Sequence, residues 1–111
     1  MPEPTIDAAT FAELQDAAGA EFVVELVDTF LEEAPAMLAQ LRSAQAAQAS
    51  DGFRRAAHSL KSNGTTFGAT QLAAMARELE LGGLIAETAP LDALDAEYQR
   101  VAAALKELCD G

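Results

Sequence analysis

The chain has 111 residues, half of them hydrophobic, and a formal charge of −11. Such a length supports one domain with a small core, and the composition excludes a disordered chain. The charge excludes nucleic acid or an anionic membrane held by bulk electrostatics, and favours a partner with a basic or apolar face.

Alanine is abundant and tryptophan is absent. Alanine and leucine are strong helix formers, and β-branched runs with hairpin turns are missing, so the expected class is all-α. Residues 1–6 read as a short extended tail. Asp7 then caps a short helix carrying Phe11 and Leu14, and Gly19 ends it. A long helix follows over residues 20–48. Its stripe is Val23, Leu26, Val27, Phe30, Ala34, Met37 and Leu41. The stripe keeps its phase across Pro35, which predicts one kinked helix and not two.

Ser50 and Asp51 are capping residue types, and a third helix is expected after them. Phe53, Ala56, Ala57, Leu60, Gly64 and Phe67 form its stripe, with Gly68 closing it. A fourth helix covers residues 70–81, with Leu72, Met75, Ala76 and Leu79 inward and Gly82-Gly83 at its end. The stretch LIAETAP reads as a loop. A fifth helix carries Leu91, Leu94, Tyr98, Val101, Ala102, Leu105 and Leu108. The expected architecture is an antiparallel up-and-down four-helix bundle, over about residues 20–109, with a short extra N-terminal helix. Residues 1–111 read as a single domain.

The chain holds one histidine and one cysteine. A lone cysteine excludes an internal disulfide and fits a reducing compartment. MPEPTIDAAT lacks the pattern of a signal peptide, and no apolar run reaches the length of a membrane span. A cytoplasmic, monomeric protein is expected, with no nucleic-acid or membrane partner. One histidine cannot build a His-rich zinc site, so no metal site is expected. Cys109 reads as packing.

On a wheel of about 100° per residue, the stripe of the third helix spans about 300° through zero to 40°, and His58 falls near 140°. His58 therefore faces outward, with Arg54 one turn before it and Lys61 one turn after. Three of the seven basic residues, Arg54, Arg55 and Lys61, lie within four positions of it. In an acidic chain that is a local positive island. A phosphoryl group on the imidazole brings up to about two negative charges, which Lys61 and Arg54 are placed to meet. Ser62 and Thr65 are small and leave access for a partner. Gly64 faces inward, where a missing side chain permits close packing, and Gly68 is the second structural glycine.

The stretch AHSLKSNGTTFGATQL resembles the histidine phosphotransfer (HPt) domains of bacterial phosphorelays, and FLEEAPAMLAQL in the second helix is similar to them too, proline included. The resemblance covers residues 7–109. It implies that His58 accepts a phosphoryl group, with Lys61 three residues on and Gly68 ten residues on in their family positions. It also implies that Glu80, 22 residues after His58, orients the imidazole. Such a residue would hold the Nδ1 proton and leave Nε2 as nucleophile. Ser62 departs from the family, which most often has glycine there.

The implied function is that of a carrier. A receiver-domain phospho-aspartate, or a kinase, phosphorylates His58, and a second receiver aspartate takes the group. The implied partners are response-regulator receiver domains and a (hybrid) histidine kinase. No cofactor is expected on this chain, and Mg²⁺ is expected on the receiver. No Gly-rich phosphate loop is present, so no kinase activity is expected. Phe11, Leu14, Val24 and Leu31 are candidates for an apolar docking patch. The competing reading is an adaptor bundle that binds a partner without phosphoryl chemistry.

Overall fold

The computed structural model describes residues 5–110. Among the described residues five helices occur in chain order: α1 (Ala8–Ala18), α2 (Ala20–Ala47), α3 (Ser50–Phe67), α4 (Thr70–Gly82) and α5 (Ala89–Asp110). Helices α2 to α5 pack in a closed ring, α2 on α3, α3 on α4, α4 on α5 and α5 back on α2. Short links make consecutive helices antiparallel. Helix α1 lies against α2 and α3. Part of the expected tail, residues 1–4, lies outside the described residues. Ile6 does not belong to a tail at all; it is buried in the core.

Local chemistry sets the ends of the elements. Asp7 caps α1, its carboxylate accepting from the Thr10 N–H at 3.1 Å and the Thr10 hydroxyl at 2.5 Å. Those bonds hold the Asp7 carboxyl below the usual range. Gly68 ends α3 at φ +80°, and its carbonyl accepts from the Asp7 N–H at 2.8 Å. The start of α1 is thereby tied to the α3–α4 turn.

The capping expected from Ser50 and Asp51 does not occur. Ala49 precedes α3 without a side-chain cap, and Ser50 is already helical. Gln48 turns the chain through the left-handed region at φ 55°, so only two residues link α2 to α3. The helix starts before its polar residues are reached, and Asp51 instead places its charge near the N-terminal dipole. The loop LIAETAP is also shorter than expected. Helix α5 opens at Ala89, with Pro90 in the first turn, where a missing N–H leaves no bond unmade.

The core joins all the layers. Phe30 of α2 meets Phe67 of α3 at 5.4 Å between ring centroids, and Tyr98 of α5 edge-on at 5.9 Å. Each such ring or leucine contributes roughly 1.5–3 kcal/mol when fully buried. The buried residues of α3 are the six of its predicted stripe. Leu26, Met37 and Met75 pack partly buried against the core. Leu108 does not face inward; at 42% exposure it lies where α5 approaches its end.

Helix α2 runs unbroken through Pro35. Proline has no N–H, so the Leu31 carbonyl one turn earlier loses its helical donor. The Tyr98 hydroxyl from α5 donates to that carbonyl at 3.4 Å. Burial pushes the Tyr98 phenol above its ordinary pKa, which keeps the donor proton in place. Tyr98→Phe should therefore cost up to about 1 kcal/mol, seen as a lower urea midpoint with unchanged m-value. An unchanged midpoint would mean that the carbonyl needs no protein donor.

Polar contacts fasten the α2–α5 side. Arg42 bridges Asp92, at 2.8 Å, and Asp95. Gln45 donates to the carbonyls of Ile85 and Glu87, pinning the α4–α5 link. Among the described residues, no helix is long and apolar enough to cross a membrane.

Candidate functional site

His58 stands mid-way along α3, on the face that the apolar stripe leaves outside, and its side chain is 57% exposed. The opposite wall is α4. Gly64 permits the close approach: a Cβ there would meet the Ala73 amide nitrogen at 3.3 Å and the Ala69 carbonyl oxygen at 3.4 Å. The bare backbone lets the two helices close up, which brings a short carboxylate from one within reach of an imidazole on the other.

That carboxylate is Glu80. Its Oε2 lies 2.6 Å from His58 Nδ1, and its Oε1 lies 2.8 Å from Lys61 Nζ. The lysine contact is short but off-axis for a hydrogen bond, so its character is that of an ion pair. Glu80 is 13% exposed and Lys61 28% exposed, in contrast to the open imidazole. Lys61 first, and His58 second, hold the Glu80 carboxyl below the ordinary glutamate range, against an opposing push from burial. Glu80 is thus an acceptor that stays ionised. An ionised acceptor at Nδ1 favours the tautomer that carries its proton there, leaving the Nε2 lone pair free.

The other predicted residues fall around this pair. Arg54 lies 3.8 Å from Asp51, with both side chains well exposed. Ser62 and Thr65 are exposed on the turns after His58, and Ser62 gives its carbonyl to the Thr66 hydroxyl. Gly64 and Gly68 are buried in the helix contacts described above. Lys61 does not stand free toward solvent as its wheel position suggested; it is drawn to Glu80. Of the four apolar docking candidates, Phe11 is core, Leu14 and Leu31 are partly buried against the core, and Val24 is 38% exposed.

Two features lay outside the sequence reading. Leu81, directly after Glu80, is 71% exposed. Its place about 180° from the α4 stripe could have revealed it. A concavity of about 420 Å³ also opens beside the imidazole, lined by Arg54, Arg55, His58, Ser59 and Glu80. It spans two helices, and no pattern within one helix foretells it.

The comparisons with known proteins bear on the family and the fold. The Hpt domain family model matches residues 25–104. The structure is similar to the crystal structure of histidine-containing phosphotransfer protein B (HptB) from Pseudomonas aeruginosa PAO1. The TM-score is 0.86 at 28% identity, covering 98% of this chain and 97% of that one. No curated protein matches the chain.

Proposed function

The chain belongs to the Hpt domain family, the phosphorelay intermediaries of histidine phosphotransfer, and from that premise we propose that His58 is the residue that carries the phosphoryl group. The observation that carries this reading is the 2.6 Å contact between Nδ1 and the Glu80 carboxylate, made by a ring that is otherwise open to solvent. One nitrogen is held and the other is presented.

The step follows from that arrangement. Neutral His58 attacks the phosphorus of a receiver's phospho-aspartate with the Nε2 lone pair. The Nε2–P bond forms as the P–O bond to the aspartate breaks, its electron pair remaining on the released carboxylate. The ring keeps its Nδ1 proton and becomes an imidazolium, whose charge faces Glu80. The reverse step hands the group to a second receiver aspartate. Alignment and charge stabilisation carry such transfers. Arg54 is the cation assigned to that role, Lys61 being paired with Glu80 at 2.8 Å, and Ser62 and Thr65 keep the approach clear. We assign no cofactor to this chain, place Mg²⁺ on the receiver partner, and read the chain as a carrier without kinase activity of its own.

The reading is tested by incubating the protein with a phosphorylated receiver domain and measuring intact mass. One phosphoryl group should be gained, lost in mild acid and retained in base. No gain from several unrelated receivers would favour the adaptor reading.

Glu80 carries a second prediction. Glu80→Ala removes the charge-assisted hydrogen bond that orients the imidazole, so transfer should slow by about tenfold or more. Glu80→Gln keeps an acceptor and should lose less. The pH dependence of stability has a definite sign. The folded carboxyl titrates lower than the unfolded one, so its contribution is full above the unfolded value, about 4.3, and fades as the pH falls through the lower folded value. Wild type should therefore exceed Glu80→Ala in urea stability at neutral pH, and that margin should shrink in acid. A margin independent of pH would remove the charge from the explanation.

A further inference from the structure

The cations around His58 are not equally available. Lys61 is matched by Glu80 at 2.8 Å, so neutral His58, Glu80 and Lys61 together carry no net charge. Yet the group that arrives brings up to about two negative charges. Arg42 and Arg100 are committed to carboxylates elsewhere. Arg54 is only loosely engaged, 3.8 Å from an exposed Asp51. Arg55 is exposed and, among the described residues, makes no ion pair or hydrogen bond. Arg54 and Arg55 both line the concavity beside the imidazole, and Lys61 does not.

We propose that Arg55, with Arg54 beside it, supplies the net positive charge that draws and holds the phosphoryl group at His58, while Lys61 serves mainly to position Glu80. The inference rests on the assignment of His58 as acceptor. It adds Arg55 to the site and moves Lys61 from the phosphoryl group to its supporting carboxylate. Arginine suits the task, since its planar fork offers paired donors to phosphoryl oxygens and its charge does not titrate near neutral pH.

A small anionic donor tests this without any partner. Phosphoramidate, whose nitrogen is already protonated near neutral pH, phosphorylates imidazole directly: the Nε2–P bond forms, the P–N bond of the donor breaks, its electron pair leaves with ammonia, and the Nδ1 proton stays on the ring. The rate of mass gain is followed at low and high salt for wild type, Arg55→Gln, Arg55→Lys and Lys106→Gln. Arg55→Gln should slow the low-salt reaction by about threefold to tenfold and should flatten the salt dependence. Arg55→Lys keeps the charge and should recover most of the rate. Lys106→Gln, on α5, should match wild type, which separates local charge from net charge. Arg55→Gln with the rate and salt slope of wild type would overturn the proposal and leave His58 as acceptor. Absence of an acid-labile adduct on wild type would overturn the acceptor assignment and this proposal together.

Discussion

His58→Gln should abolish the acid-labile phosphoryl adduct altogether while leaving the helical bundle intact. The chain has one imidazole, and a glutamine amide has no nucleophilic nitrogen to replace Nε2. The fold should survive for two reasons. His58 is 57% exposed, so little packing is lost. Removing it also does not strand Glu80, because Lys61 remains 2.8 Å away as a counter-charge. A buried carboxylate left alone would be costly, and this one is not left alone. Intact mass before and after mild acid, with circular dichroism on the same sample, reads both halves. An adduct of wild-type stoichiometry on the variant would place the group elsewhere and sink the assignment.

The fold was legible where a single helix determines the answer. The six buried residues of α3 recur at a helical spacing that any reader of the sequence can mark. Asp7 caps α1 through bonds that span three residues. Continuity through Pro35 followed from an unbroken stripe. What escaped depends on distant partners. Tyr98 reaches Leu31 across 67 positions, and nothing local to either residue announces it. Glu97 is buried to 4% exposure on α5, satisfied by Arg100 three residues later, and in sequence it looks like a solvated charge. Ile6 sits in a stretch too short for any period to appear.

The site divides the same way. The outward direction of His58 is a property of α3 alone. The sharing of one Glu80 carboxylate between His58 and Lys61 is a property of two helices brought together over Gly64. On the wheel Lys61 and Arg54 look equivalent, each one turn from the imidazole. In three dimensions one is neutralised by α4 and the other is only loosely engaged by the exposed Asp51. That difference decides which charges remain for an anion.

Gly68→Ala should be the most destabilising of the glycine substitutions, by about 2–4 kcal/mol, a large share of the 5–15 kcal/mol that holds a typical domain. Two costs combine. At φ +80° an L-residue is strained, by roughly 1–2 kcal/mol. A Cβ would also stand 3.0 Å from the Asp7 carbonyl oxygen and 3.0 Å from Thr10 Cβ. The carbonyl is backbone and cannot swing aside. Relief requires α1 to lift, which breaks the 2.8 Å bond from Asp7 N–H to the Gly68 carbonyl and pulls on Ile6 and Phe11 in the core. Gln48 shows why conformation alone is the smaller part: it holds φ 55° with a side chain, at an exposed position. Asparagine separates the two costs, since it tolerates the left-handed region but still carries a Cβ. In urea denaturation Gly68→Asn should recover only part of the loss. Full recovery by asparagine would mean that α1 yields at no cost and that backbone strain is the whole effect. Hydrogen exchange locates the damage: protection should fall first in α1 and at the α3–α4 turn, while the amides around His58 stay protected.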